Sequence, residues 1–135
     1  MKDTIKAGTT VTREFVVDAP RTIDFLGDEL RVYATPSLVM DAEITCRDLL
    51  LEHADDGEDS VGTGISITHA AATPLGMTVS ITATVVNVEG ARVDFEVVAH
   101  DGIDEVGKGK HSRFAVPVAA LEKRIRAKKA AAEEG

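Results

Sequence analysis

Three side chains able to take part in acid–base or nucleophilic chemistry lie in two short segments of the sequence. Thr35 and Glu43 belong to "ATPSLVMDAE", and His69 belongs to "SITHAAATPLG". A hydroxyl, a carboxylate and an imidazole are groups that enzymes use to attack a carbonyl and to move protons. Thr35 also stands at the start of a predicted helix, where free N–H groups and the helix dipole favour a developing oxyanion. The three residues are therefore a candidate catalytic set.

Each of these residues also has an ordinary structural interpretation. Thr35 could simply cap the helix. Glu43 could pair with Arg47, since residues four apart lie on the same side of a helix. His69 could be a core histidine, because it shares a predicted strand face with two isoleucines. The residues taken singly leave both interpretations open.

The helix that carries Thr35 and Glu43 has a clear predicted start. Thr35 suits the N-cap and Pro36 suits the first helical position, where a missing N–H costs nothing. Its end is expected within "HADDGED", close to Gly57. One narrow arc is polar and comprises Asp41, Thr45, Asp48 and Glu52. Two apolar arcs comprise Leu38, Val39, Ala42, Cys46, Leu49 and Leu50, and Met40, Ile44 and Leu51. We therefore expect a helix that is buried on most sides, with Glu43 between the two apolar arcs.

Strands are predicted on both sides of this helix. Residues 10–17 form a first strand, and four segments with a two-residue period follow the helix: "VGTGISITHA", "TVSITATVVNV", "ARVDFEVVA" and "EVGKGKHSRFAV". The second of these places Val79, Ile81, Ala83 and Val85 on one face. Glu89–Gly90 and Asp101–Gly102 are predicted turns. Gly107 and Gly109, inside the last strand, indicate a bulge or the close approach of another backbone.

This order of elements predicts an α+β fold of the hot-dog type. About five strands of curved antiparallel sheet wrap around one long central helix, and a C-terminal helix follows from Pro117 onward. We find no linker and no repeat, so residues 1–135 are expected to form a single domain, with about residues 127–135 frayed. An open sheet leaves an edge strand to protect, which predicts a homodimer.

Composition excludes several classes of protein. The formal net charge of −8 argues against non-specific nucleic-acid binding. No apolar run approaches the ~20 residues that span a bilayer, and the N-terminal segment lacks the apolar core of a secretory signal. Cys46 is the only cysteine, so no internal disulfide is possible, and we expect it to be a core thiol in a cytoplasmic protein. No Cys/His cluster has the spacing of metal ligands.

Longer stretches of the sequence resemble one known family. The segments "ATPSLVMDAE", "GTGISITHAAATPLG" and "VEGARVDFEVVAHDGIDEVGKGKHSR" are similar to the fluoroacetyl-CoA thioesterase family of the hot-dog superfamily. The resemblance covers roughly Thr35 to Arg113. It implies that Thr35, Glu43 and His69 form the catalytic set, and that Gly62 and Arg113 contact the acyl group. It also implies active sites at a dimer interface and no cofactor.

The resemblance further implies the reaction. We expect an acyl-CoA thioesterase that hydrolyses a short acyl thioester to the acid and free coenzyme A. The family's fluoroacetyl-specific enzyme has a longer lid before the central helix, whereas "RTIDFLGDELRVY" is shorter here, with Phe25 and Tyr33 as its aromatic residues. A strong preference for fluoroacetyl-CoA is therefore not expected. The alternatives are a non-catalytic acyl-thioester binding or dimerisation module and, on weaker grounds, hydration or dehydration of an acyl thioester.

Overall fold

The computed structural model describes residues 1–135 and contains five strands and two long helices. The strands are β1 (Thr10–Val16), β2 (Glu58–His69), β3 (Thr78–Glu89), β4 (Arg92–His100) and β5 (Glu105–Pro117). The helices are α1 (Thr35–Leu51), between β1 and β2, and α2 (Val118–Glu134), at the C-terminus. Two short 3-10 helices, Ala19–Arg21 and Asp28–Leu30, interrupt the segment between β1 and α1. The predicted α+β architecture, a curved sheet around a central helix, is confirmed.

The five strands form one antiparallel sheet in the order β1-β3-β4-β5-β2. Its concave face carries the residues predicted for it: Val79, Ile81, Ala83 and Val85 are all buried. Register shifts interrupt the pairing at Gly62/Gly64, Val85/Asn87 and Ala99/His100. Because such irregularities bend a strand, they help the sheet to curve around α1. β1 and β2 are left as the two edges.

Helix α1 lies against the concave face and fills the core. Five residues of the first apolar arc are buried, Leu38, Ala42, Cys46, Leu49 and Leu50, and Val39 of the same arc is half-buried. The second arc differs, because Met40, Ile44 and Leu51 are exposed in the single chain. The expectation of a helix buried on most sides is therefore wrong for this face.

The polar arc of α1 also departs from the prediction. Asp41 and Thr45 are both buried, and the segment between β1 and α1 covers Asp41. The Asp41 carboxylate accepts a hydrogen bond from the Tyr33 hydroxyl at 2.6 Å and pairs with Arg21 Nε at 3.0 Å. The Thr45 hydroxyl donates to the Asp41 carbonyl oxygen at 2.7 Å. Asp41 thus fastens the connecting segment to the helix.

The two glycines of β5 mark a close approach of backbones, as predicted. A Cβ atom at Gly107 would lie 2.3 Å from the carbonyl oxygen of Thr68, and one at Gly109 would lie 2.0 Å from that of Ser66. Neither distance is compatible with a side chain. Glycine at these positions therefore lets β2 lie close against β5 near His69, which pairs with Gly107.

The helix ends differ from the predicted boundaries. Ala34, not Thr35, is the N-cap residue of α1, and no side chain caps the helix. The helix stops at Leu51, and Gly57, with a φ of 79°, belongs to the turn that leads into β2. Helix α2 follows Pro117 and buries none of its residues. Fraying of its last residues stays a prediction. Neither helix combines the length and the apolar character needed to cross a bilayer.

Candidate active site

The structure brings Thr35 and His69 together. Thr35 is the first residue of α1, and His69 is the last residue of β2. The Thr35 hydroxyl oxygen lies 2.7 Å from His69 Nδ1, which is a strong hydrogen-bonding distance. Because the hydroxyl is engaged here, it does not cap the helix. The structure thus gives Thr35 a partner that the capping interpretation does not explain.

A small apolar cleft opens beside this pair. It has a volume of about 290 Å³. Its lining is Ile23, Phe25, Val32, Tyr33, Thr35, His69, Ala71 and Ala72. The Tyr33 ring meets the His69 ring edge-on, with the centroids 6.2 Å apart. Phe25 stands at the margin and is 76% exposed, so its ring does not close the cleft.

Tyr33 is fixed by contacts on both sides of the cleft. Its backbone N–H donates to the Thr73 carbonyl oxygen at 2.8 Å, and its hydroxyl donates to Asp41. Burial is the main cause that raises the pKa of the Tyr33 hydroxyl, and the hydrogen bond to Asp41 adds to it. The hydroxyl is therefore a donor and not a base. The Thr73 hydroxyl in turn donates to Asp101 at 2.8 Å, which ties the segment after His69 to the β4–β5 turn.

Glu43 lies on α1 away from the cleft and faces Arg113 of β5. Its Oε2 atom is 3.8 Å from Arg113 Nη1, and its side chain is 43% exposed. The alternative in which Glu43 pairs with Arg47 is not observed, because Arg47 binds Asp59 instead, at 2.6 Å. A carboxylate that is half exposed beside a buried cation remains available to a ligand.

Gly62 of β2 leaves space for the Glu43 carboxylate. A Cβ atom at this position would lie 2.8 Å from Glu43 Oε2 and 3.5 Å from Arg113 Nη1. By contrast, a Cβ atom at Gly64, two residues along the same strand, would meet no atom within 4 Å. Gly62, Glu43 and Arg113 are therefore neighbours.

Arg113 is held by groups that sequence analysis did not assign to the site. Its guanidinium donates to the Ser60 hydroxyl at 2.7 Å, to the Ser60 carbonyl oxygen at 2.9 Å and to His111 Nε2 at 3.2 Å. Only the shared parity of His111 and Arg113 on β5 indicated their proximity, and the two glycines before them made that parity unsafe. Burial lowers the pKa of Arg113, while the Glu43 carboxylate opposes this effect.

The candidate residues fall into two groups within one chain. The first group is Thr35 and His69, and the second is Glu43, Gly62 and Arg113. Glu43 follows Thr35 by eight residues on one straight helix, which separates their Cα atoms by ~12 Å. A single chain therefore does not place the Glu43 carboxylate within hydrogen-bonding distance of the Thr35 hydroxyl.

Other candidates for chemistry are excluded. Cys46 is fully buried within the core, and burial raises the pKa of its thiol to about 12. A thiol with this pKa is not a nucleophile near neutral pH. No group of three or more His, Cys, Asp or Glu side chains is arranged to hold a metal ion.

Comparison with known proteins assigns the class. The chain shares its fold with a thioesterase superfamily member from Thermus thermophilus, with a TM-score of 0.89 and 29% identity, over 98% of this chain and 99% of that one. This protein is therefore a thioesterase of the hot-dog type. Residues 17–119 match the fluoroacetyl-CoA-specific thioesterases, and the chain belongs to that family.

Two relatives show how far the similarity extends. The fluoroacetyl-CoA thioesterase of Streptantibioticus cattleyicolor is 38% identical over an alignment that covers 95% of this chain and 97% of that enzyme. The crystal structure of a mutant of the fluoroacetyl-CoA-specific thioesterase FlK superimposes with a TM-score of 0.85 and 37% identity, over 94% of this chain and 99% of that one. The predicted family is thus confirmed along nearly the whole chain.

Proposed function

We propose that this protein hydrolyses short acyl-CoA thioesters to the carboxylic acid and free coenzyme A. The observation that carries the proposal is the hydrogen bond between Thr35 and His69 at the mouth of a small apolar cleft. A cleft of about 290 Å³ suits a short acyl group and is too small for coenzyme A, which would remain outside. Membership of the thioesterase family supports the same reaction.

The three polar residues take distinct roles in this proposal. Glu43 attacks the thioester carbonyl directly or activates the water that does so. His69 transfers a proton, which the departing coenzyme A thiolate requires, and Thr35 orients the imidazole through Nδ1. Gly62 and Arg113 border the acyl group beside Glu43. The dipole of α1 and the Thr35 N–H at its first residue favour negative charge that develops on the carbonyl oxygen. Pro36 has no N–H, and the Ser37 N–H donates to the Ala34 carbonyl oxygen.

We also propose that the active protein is a homodimer. Three features support this proposal. β2 is a sheet edge of 12 residues, and α1 exposes Met40, Ile44 and Leu51. Within one chain the Cα atoms of Thr35 and Glu43 are ~12 Å apart. A two-fold axis that pairs these surfaces would bring Glu43 of one protomer to the Thr35–His69 pair of its partner. The free cysteine is in line with a cytoplasmic location, which is part of the proposal.

A hydrolysis screen tests the function. We expect release of free thiol from acetyl-CoA and other short acyl-CoAs, and a decline in kcat/KM as the acyl chain outgrows the cleft. Because Phe25 leaves the cleft open, fluoroacetyl-CoA should not be preferred over acetyl-CoA by as much as about four orders of magnitude, or roughly 5.5 kcal/mol. Binding of acyl-CoA without thiol release would instead favour a non-catalytic binding module.

Gly62→Ala tests the space beside Glu43. The added methyl group would meet Glu43 Oε2 at 2.8 Å and His111 Cε1 at 3.2 Å, so the carboxylate must move and the His111 ring must give by a few tenths of an ångström. Since small displacements of a reacting group are costly, we expect kcat to fall about 10- to 100-fold with little change in melting temperature. Gly64→Ala is the matched control, because its methyl group meets no atom, and it should lose less than about twofold. Equal activities of the two variants would contradict the role of Gly62.

A further inference from the structure

His111 is a buried histidine whose two ring nitrogens are both engaged. It is 2% exposed and stacks on Phe95, with centroids 6.3 Å apart. Nδ1 lies 2.8 Å from the Gly64 carbonyl oxygen, which can only accept, so Nδ1 carries the proton. Nε2 lies 3.2 Å from Arg113 Nη1, which can only donate, so Nε2 is the acceptor. The contacts therefore define a neutral imidazole with one tautomer.

In this arrangement each of the three guanidinium nitrogens of Arg113 has a hydrogen-bond acceptor. Ser60 accepts from Nε and Nη2, and His111 accepts from Nη1. Arg113 is 5% exposed, so water does not replace a lost partner. Both Ser60 and His111 are neutral. The carboxylate within ion-pair distance of the buried cation is Glu43, at 3.8 Å from Nη1.

The same Nη1 atom thus faces His111 on one side and Glu43 on the other. If Nη1 lost its acceptor on His111, the planar guanidinium could tilt, and its direction toward Glu43 would change. Shortening a side chain far from the reacting atoms lowers the reaction rate in this way, when the lost contact frees the group that positions those atoms. A sub-ångström shift of Nη1 matters here, because its distance to the Glu43 carboxylate is already long for an ion pair.

We infer that His111 is a positioning residue of the hydrolytic site: its Nε2 fixes the Arg113 guanidinium so that Nη1 holds the Glu43 carboxylate in place. This inference rests on the proposed function for its effect on catalysis. His111 touches neither Thr35 nor His69, and it acts only through Arg113. Its role is to set the direction of one positive charge.

The inference requires a neutral His111, and the surroundings favour that form. The charged groups that face it are Arg113 from β5 and Glu43 from α1, while β2 offers a carbonyl oxygen and β4 the Phe95 ring. Burial is the main cause that lowers the pKa of His111 from its ordinary 6.5, and the Arg113 charge adds to it, while the Gly64 carbonyl oxygen and the Glu43 charge oppose this effect without reversing it. A lowered pKa means that the unfolded chain binds the proton more readily. The contribution of His111 to the free energy of unfolding is therefore fully present above about pH 6.5 and declines as the pH falls below that value.

Two substitutions separate the contacts of His111. In His111→Gln, the side-chain amide reaches the position of Nε2, so its oxygen can accept from Arg113 while the donor to Gly64 is lost. In His111→Asn, the shorter amide reaches the position of Nδ1, so the donor to Gly64 is kept and the acceptor for Arg113 is lost. We expect kcat on acetyl-CoA to fall at least about tenfold in His111→Asn, with KM nearly unchanged, and to fall less than about threefold in His111→Gln.

A spectroscopic measurement distinguishes this inference from the proposed function. The Arg113 Nε–H bond to Ser60 is buried, so its ¹⁵N–¹H signal should exchange slowly with water in the wild type and in His111→Gln. In His111→Asn the exchange should be at least about tenfold faster. If the wild type hydrolyses no acyl-CoA, the proposed function fails, while the exchange rates still decide whether His111 fixes Arg113.

The inference is overturned if the two variants have equal exchange rates, or if an active wild type and His111→Asn share the same kcat. Equal losses of kcat in both variants would also overturn it, since they would indicate a role in packing alone. Should His111→Asn fail to fold, His111→Gln alone decides the inference. It keeps the acceptor for Arg113, so the exchange rate of the Nε–H and kcat should both stay within about threefold of the wild-type values, and a larger change in either would overturn the inference.

Discussion

Replacement of Glu43 by glutamine should lower kcat by at least ~100-fold and leave the protein folded. The amide keeps the size of the carboxylate and much of its hydrogen bonding, but it has neither the charge to attack a carbonyl nor the basicity to activate water. Stability should change by no more than about 1 kcal/mol, because the side chain is 43% exposed and Arg113 keeps its bonds to Ser60 and His111. Thiol release and thermal unfolding measure the two effects.

Controls on the same helix and at the same site complete this experiment. Glu52→Gln changes an exposed carboxylate just beyond the end of α1 and should leave kcat nearly unchanged. His69→Ala should lose activity to a similar extent as Glu43→Gln. The double variant should lose far less than the product of the two single losses, since residues that act as a unit are not additive. A Glu43→Gln protein with near-normal turnover would remove Glu43 from the catalytic set.

Two inactive variants should restore activity when their protomers are mixed. If Glu43 of one protomer serves the Thr35–His69 pair of its partner, a heterodimer of Glu43→Gln and His69→Ala contains one complete site and one site that lacks both groups. After protomer exchange at equal concentrations, half of the dimers are mixed, so activity should recover to about a quarter of the wild-type value. A site contained within one chain would give no recovery.

The reciprocal mixture provides the control. An excess of the double variant, Glu43→Gln with His69→Ala, should reduce the activity of a fixed amount of wild-type protein, because each mixed dimer then has no complete site. If each chain had its own complete site, the wild-type protomers would remain active in those dimers. Light scattering that shows a folded monomer at micromolar concentration would contradict the shared site before any mixing is attempted.

The regular parts of the fold could be predicted because their burial is periodic. The alternation of Val79, Ile81, Ala83 and Val85 in β3 reflects a sheet with one buried face, and this pattern is local to the sequence. The start of α1 could be predicted within one residue, because threonine and proline are typical of the first positions of a helix. By contrast, the segment between β1 and α1 has no hydrophobic periodicity, so the sequence pattern did not indicate that this segment buries Asp41.

The site could be predicted only where residue type and resemblance agreed. Thr35 and His69 were paired correctly, since a helix start and a strand end can meet in this fold. The partner of Glu43 was not predicted from local rules. The four-residue spacing on the helix made Arg47 a possible partner, yet Arg47 pairs with Asp59 of the edge strand. Arg113 of the last strand lies beside Glu43 instead. Long-range partners of this kind depend on strand register, which two glycines in β5 obscured.

The position of Cys46 bears on the chemistry of the product. Each turnover of the proposed reaction would liberate a thiol, and a thiol can form a mixed disulfide with an accessible protein cysteine under mild oxidation. The only cysteine in this chain is enclosed by the core, and its thiol has a pKa of about 12. Accumulated coenzyme A therefore meets no accessible cysteine thiol on this protein, and the enzyme is protected from forming a mixed disulfide with the compound it releases.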